Sequence, residues 1–174
     1  MIQKIMGTLM ISFICVSCST VMEPVPSGFL GDYSTMRPSK IIKGMYVDRA
    51  SSERLGDYSK FMIDPVEIYL HKDAKAEHVD PKFLQLLADY FRDAVIQNLG
   101  KNYEVVSEPG EGVLRIRSAI TDVLSNKVIF NIQVSTTMSG IGLGGASMEA
   151  EFVDSQTGTR ILAVVDSRRG RRIH

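Results

Sequence analysis

The chain has 174 residues, suited to one domain, and 44% hydrophobic against 23% charged residues is the balance of a folded protein, not a disordered one. Lys plus Arg and Asp plus Glu both number 20, so a net charge of zero supplies no global field for nucleic acid or anionic lipid. No stretch reaches the roughly 18 apolar residues that a membrane-spanning helix needs.

The N-terminus offers a different attachment. Met1 to Lys4 carries one positive charge, and Ile5 to Val16 is an almost unbroken apolar run. Its length is that of a signal-peptide core, not of a membrane span. Residues 1–17 are therefore expected to be a lipoprotein signal peptide, because Ile14-Cys15-Val16-Ser17-Cys18 resembles the lipobox of bacterial lipoproteins. In that family the cysteine is lipidated and becomes the first mature residue. Cys15 departs from the pattern, where Leu, Val or Ile is usual. The chain has two cysteines, both here, and cleavage before Cys18 leaves one, which cannot form an internal disulfide. The resemblance implies lipidation of Cys18, with acyl chains such as palmitate making membrane lipid the partner. Each buried methylene contributes about 0.8 kcal/mol. Ser19, where inner-membrane lipoproteins often carry Asp, implies the outer membrane, facing the periplasm.

Residues 18–28 read as a lipidated tether, with Glu23-Pro24-Val25-Pro26-Ser27-Gly28 carrying the prolines and glycine of an extended linker. A single domain is expected over 29–174, with Phe29, Leu30 and Tyr33 packing onto it. Met45 to Val47 suggests a short strand, followed by a polar loop from Ser51 to Gly56. Phe61 to Ile63 and Val66 to Leu70 read as a strand interrupted at Pro65, whose missing amide places it at an edge or a bulge. The clearest helix runs from Pro81 to about Asn98. Asp80 is a good N-cap, Pro81 suits the first helical position, and Val79 and Leu84 are spaced for a hydrophobic staple. Phe83, Leu84, Leu87, Tyr90, Phe91, Ala94, Val95 and Leu99 give it one broad apolar face, and Gly100 is expected to close it in a left-handed conformation. Strands follow at Tyr103 to Ser107, Val113 to Leu124, Val128 to Val134, Ser147 to Val153 and Thr159 to Asp166. In the second of these Leu114, Ile116 and Ile120 share one face, and Arg115 and Arg117 the other. Short turns between the strands predict an α+β fold: a largely antiparallel sheet with one main amphipathic helix on one face.

Little in this pattern concentrates chemistry. Gly140-Ile141-Gly142-Leu143-Gly144-Gly145 formally matches a dinucleotide loop, but the residues after it alternate like a strand, and the phosphate-binding helix N-terminus is missing. His71 and His78 flank Asp73 and Glu77 in a polar loop at no metal-motif spacing, and His174 is terminal. There is no GxSxG elbow for a nucleophile. Asp64, Asp122, Asp154 and Asp166 stand at or beside strand ends, where aspartates usually cap turns. Arg168-Arg169-Gly170-Arg171-Arg172 is a basic terminus that reads as a solvated tail. No catalytic residue, metal or cofactor is expected.

Three segments together, Ser27 to Ser34, Leu114 to Val123 and Glu149 to Gly158, resemble the bacterial lipoproteins of domain-of-unknown-function family 3313. Asp64 to Glu67 and Asp166 to Gly170 fit the same pattern. The resemblance implies an envelope lipoprotein with an α+β domain and no assigned activity. Family members continue past this closing motif into another helix, so the chain is expected either to be shortened at its C-terminus or to leave a neighbouring surface uncovered. The functional expectation is a non-enzymatic, membrane-anchored envelope protein that binds another envelope protein or component, with no nucleic acid. The alternatives are a small envelope enzyme using the strand-end carboxylates and an auxiliary subunit of an envelope transport system.

Overall fold

A computed structural model describes residues 25–49, 51–125 and 143–169. Cys15, Cys18, the basic terminus beyond Arg169 and the expected strand Val128 to Val134 lie outside them, as does most of the glycine-rich loop. Among the described residues eight strands form one sheet: β1 Arg37–Pro38, β2 Met45–Asp48, β3 Lys60–Ile63, β4 Glu67–Ile68, β5 Glu104–Val106, β6 Val113–Ser125, β7 Leu143–Asp154 and β8 Arg160–Arg169. The strand order is β1-β2-β8-β7-β6-β3-β5, with β4 also paired to β6.

The expectation of an α+β fold with a largely antiparallel sheet is corrected: the protein is mostly β, and its sheet is mixed. β6, β7, β8, β2 and β1 do pair antiparallel. The turn joining β7 to β8 explains one of these pairs, since Asp154 N donates to Thr159 O and Gly158 N to Asp154 O, both at 2.9 Å. At the other side, however, β3 runs parallel to both β5 and β6, and β4 runs parallel to β6. Parallel neighbours need a crossover, and the one α-helix among the described residues, α1 Pro81–Leu99, provides it between β4 and β5. β3 then inserts between β5 and β6, so the turn at 108–112 does not make a hairpin. β3 and β4 are successive stretches along β6, separated where Pro65 has no amide to donate; Asp64 N and Tyr69 N bond to Ile116 O and Ile120 O on either side.

The helix starts as its sequence dictates. The Asp80 carboxylate accepts from Lys82 N at 2.9 Å, Pro81 follows, and Val79 and Leu84 meet in one apolar cluster. Its end differs from expectation. Gly100 is right-handed, at φ −61° and ψ −10°, and its amide bonds to Ile96 O at 2.8 Å. A glycine is suited there by crowding, since a Cβ would stand 3.0 Å from Ile96 O.

Because side chains alternate along a strand, the two sheet faces carry different cores. On one face Ile120 and Val123 of β6 pack with Val66, Leu84, Leu87 and Ala88. Burying each leucine there contributes about 1.5–3 kcal/mol. On the other face Ala163 and Val165 receive Leu30, with Phe29, Tyr33 and Met36 around it. Residues 27–36 thus strap the face opposite the helix. The strap is held by a fully buried carboxylate, Glu149, which accepts from Tyr33 Oη at 2.6 Å and Ser27 N at 2.8 Å. Beside it, Glu151 accepts from Arg117 at 2.6 Å and from Arg160 at 2.9 Å. Arg160 also donates to the carbonyls of Leu30 and Asp32, and Arg117 lies 5.6 Å from the Phe29 ring centroid.

Candidate binding site

The apolar stripe of α1 is longer than the part of it that is buried. Leu84, Leu87 and Ala88, in its first half, are enclosed. Phe91, Val95 and Leu99, in the second half, are only half-buried and form one wall of an open cleft of about 410 Å³. The facing floor is the sheet, where Ser118 of β6 and Ala150 of β7 are cross-strand partners. Both are small, and both sit between bulky neighbours on the same face: Ile116 and Ile120 on β6, Met148 and Phe152 on β7. Two short side chains directly opposite each other leave the gap that a Leu or Phe would close. Phe61 and Ile63 of β3 complete the β3 side. The volume falls in the range of small-molecule sites, about 300–1,000 Å³.

One cation stands in this apolar lining. Arg92 follows Ala88 by four residues and precedes Val95 by three, which sets it on the inward stripe of the helix. Its guanidinium makes one hydrogen bond, Nη2 to Ile63 O at 3.3 Å. Its Nε is buried without a partner, and among the described residues no carboxylate pairs with it. A buried unpaired donor costs about 1–3 kcal/mol, so it calls for an explanation.

The aspartates singled out from the sequence are not brought together. Asp64 is held by Arg115, whose Nε donates to both carboxylate oxygens at 3.0 Å and whose Nη2 donates to Oδ2 at 2.7 Å. Asp122 Oδ1 accepts from the amides of Lys75, Ala76 and Val123, which fastens the short helix Lys75–His78 to β6, and His71 Nε2 lies 3.7 Å from Oδ2. Asp154 caps the β7–β8 turn by accepting from Gln156 N, Thr157 N and Thr157 Oγ1, and it receives Tyr58 Oη at 2.9 Å. The Thr157 amide and these partners hold its carboxyl below the usual aspartate range. Burial, then the bond to Asp154, pushes the Tyr58 phenol up. Asp166 lies on β8 opposite Met45 and Met148. Asp122 and Asp154 stand seven rungs apart along β7, about 24 Å at strand spacing. None of the four lines the cleft.

Leu143, Gly144 and Gly145 open strand β7, so no helix follows the glycine-rich sequence. Among the described residues no group of three His, Cys, Asp or Glu side chains converges as a metal site. The cleft itself was not anticipated from the sequence. Its signal was present in two small inward residues on adjacent strands and in an arginine on an apolar helical stripe.

Residues 25–174 match the family described as "Protein of unknown function (DUF3313)". No curated protein matches the chain. Among solved structures it is similar to the PelC dodecamer from Paraburkholderia phytofirmans in space group P6, at 9% identity and a TM-score of 0.39 over 68% of this chain and 77% of that one. A single-residue variant of that dodecamer in space group C2 matches at 11% identity and a TM-score of 0.38, over 68% of this chain and 75% of that one.

Proposed function

This chain belongs to the DUF3313 family of proteins of unknown function, and we propose that it is a lipid-anchored, non-enzymatic protein of the bacterial outer membrane whose domain binds an apolar group of another envelope component. The observation that carries the binding reading is the open cleft between the second half of α1 and the Ser118–Ala150 pair. An apolar stripe left half-covered on a helix is unfavourable in water unless something occupies it. The enzyme reading has no such support: Asp64, Asp122 and Asp154 are engaged in separate turns and pairs, and none of the four aspartates is among the residues lining the cleft.

Titration with the neutral fluorescent probe N-phenyl-1-naphthylamine tests the cleft. A saturable rise in emission is expected for the wild-type protein. Ala150→Phe, which fills the floor, should abolish the rise while leaving the melting temperature unchanged or higher. Equal binding by a folded Ala150→Phe protein would show that the cleft is not the site.

A further inference from the structure

We infer that the ligand of this cleft is a single-chain amphiphile headed by a carboxylate, and that Arg92 receives the head. The inference rests on the binding reading above and adds the chemistry of the polar end. The walls and floor are aliphatic and aromatic: Phe91, Val95 and Leu99 face Ile116, Ala150 and Phe152. Such a lining accepts a hydrocarbon chain and offers little to a polar body. A wholly apolar ligand, though, would leave the Arg92 charge as it stands, with one long hydrogen bond to Ile63 O and no ion pair among the described residues. Three arginines of the central strands are neutralised instead: Arg115 by Asp64, and Arg117 and Arg160 by Glu151. Arg92 has no carboxylate among the described residues, and it stands on α1, the helical wall of the cleft.

An incoming carboxylate would pair the charge through the terminal guanidinium nitrogens, the enclosed Nε staying out of its reach. The planar guanidinium presents its donors as a fork that matches the two carboxylate oxygens, and the ion pair would form beside a low-dielectric lining. The charge count favours a carboxylate over a phosphate monoester. One guanidinium balances one negative charge, whereas a phosphate monoester carries about −1.5 to −2 at neutral pH. A cleft of about 410 Å³ lies in the lower part of the small-ligand range, which suits one chain.

Isothermal titration of the full chain with dodecanoate and with dodecanol, an equal chain with a neutral head, separates the role of Arg92 from that of the apolar cleft. Dodecanoate should bind at least about tenfold more tightly than dodecanol, the difference a charged hydrogen-bonded pair contributes. Arg92→Gln should erase that preference and leave dodecanol affinity within about threefold of wild type; retained dodecanol binding also reports that the variant is folded. Ala150→Phe should lose both ligands. If wild type binds the two equally, or Arg92→Gln keeps the preference for dodecanoate, the assignment of Arg92 is wrong while the apolar cleft stands. If neither ligand binds, the cleft reading and this inference fall together.

Discussion

At the scale of single residues, the charged groups of this protein divide by what they hold. Asp154 is the plainest structural case: four donors converge on one side chain and fix the turn between β7 and β8. Its carboxyl is held below the ordinary range, first by the Thr157 amide. A depressed folded value means that the ionised side chain stabilises the fold above the unfolded pKa, near 3.9, and that this contribution is lost as pH falls through the lower folded value. Urea midpoints measured from pH 7 down to pH 3 should therefore show wild type ahead of Asp154→Asn at neutral pH, with the gap narrowing below about pH 4. A gap that stays constant across that range would remove the charge of Asp154 from the account. Arg92 is the opposite case, a cation that holds almost nothing within the fold. That contrast is what separates it from Arg115, Arg117 and Arg160.

At the scale of elements, local chemistry was legible and long-range closure was not. Asp80, Pro81 and the Val79–Leu84 staple specify where α1 begins, and Pro65 specifies where β3 and β4 part, because each acts within a few residues of itself. The apolar stripe of α1 reads as continuous core. It cannot reveal that its second half lies over Ser118 and Ala150, since those residues come from strands paired only in the folded chain. The expected left-handed Gly100 failed for a related reason: the glycine answers to crowding by Ile96 O, which propensity alone does not distinguish from a positive φ. The strap 27–36 was better marked, with Phe29, Leu30 and Tyr33 too apolar for a plain linker. Tyr33 is its pin. Its hydroxyl donates to Glu149 and accepts from Gly28 N and Leu30 N, and burial followed by the Glu149 bond pushes its pKa up. Tyr33→Phe leaves a buried carboxylate with one fewer donor, which should cost about 1.5–3 kcal/mol. Urea unfolding would measure the loss, and protease should cut the variant within the strap before the rest of the domain. Wild-type stability and cleavage would mean that apolar packing alone holds the strap.

At the scale of the whole molecule, the mixed sheet has a consequence for how the parts face one another. Short turns suggested a largely antiparallel sheet, which the mixed sheet overturns: its parallel part arises because α1 crosses over and β3 inserts between β5 and β6, and no local signal encodes strand order. Since residues alternate along β7, Glu149 and Glu151 hold the strap on one face while Ala150 and Phe152 line the cleft on the other. The strap 27–36 and the cleft therefore occupy opposite faces of the sheet. If Cys18 carries the anchor, the segment from Cys18 to Ser27 reaches at most about 30 Å fully extended, so the domain is confined close to the membrane surface. The test uses the full chain expressed in bacteria with an alkyne fatty acid. Wild type should be labelled and sediment with membranes. Cys18→Ser should lose the label and appear in the soluble fraction. Cys15→Ser should behave as wild type, because cleavage before Cys18 removes that residue. Labelling that survives Cys18→Ser, or that is lost only in Cys15→Ser, would place the lipid elsewhere and detach the envelope proposal from the lipobox resemblance on which it rests.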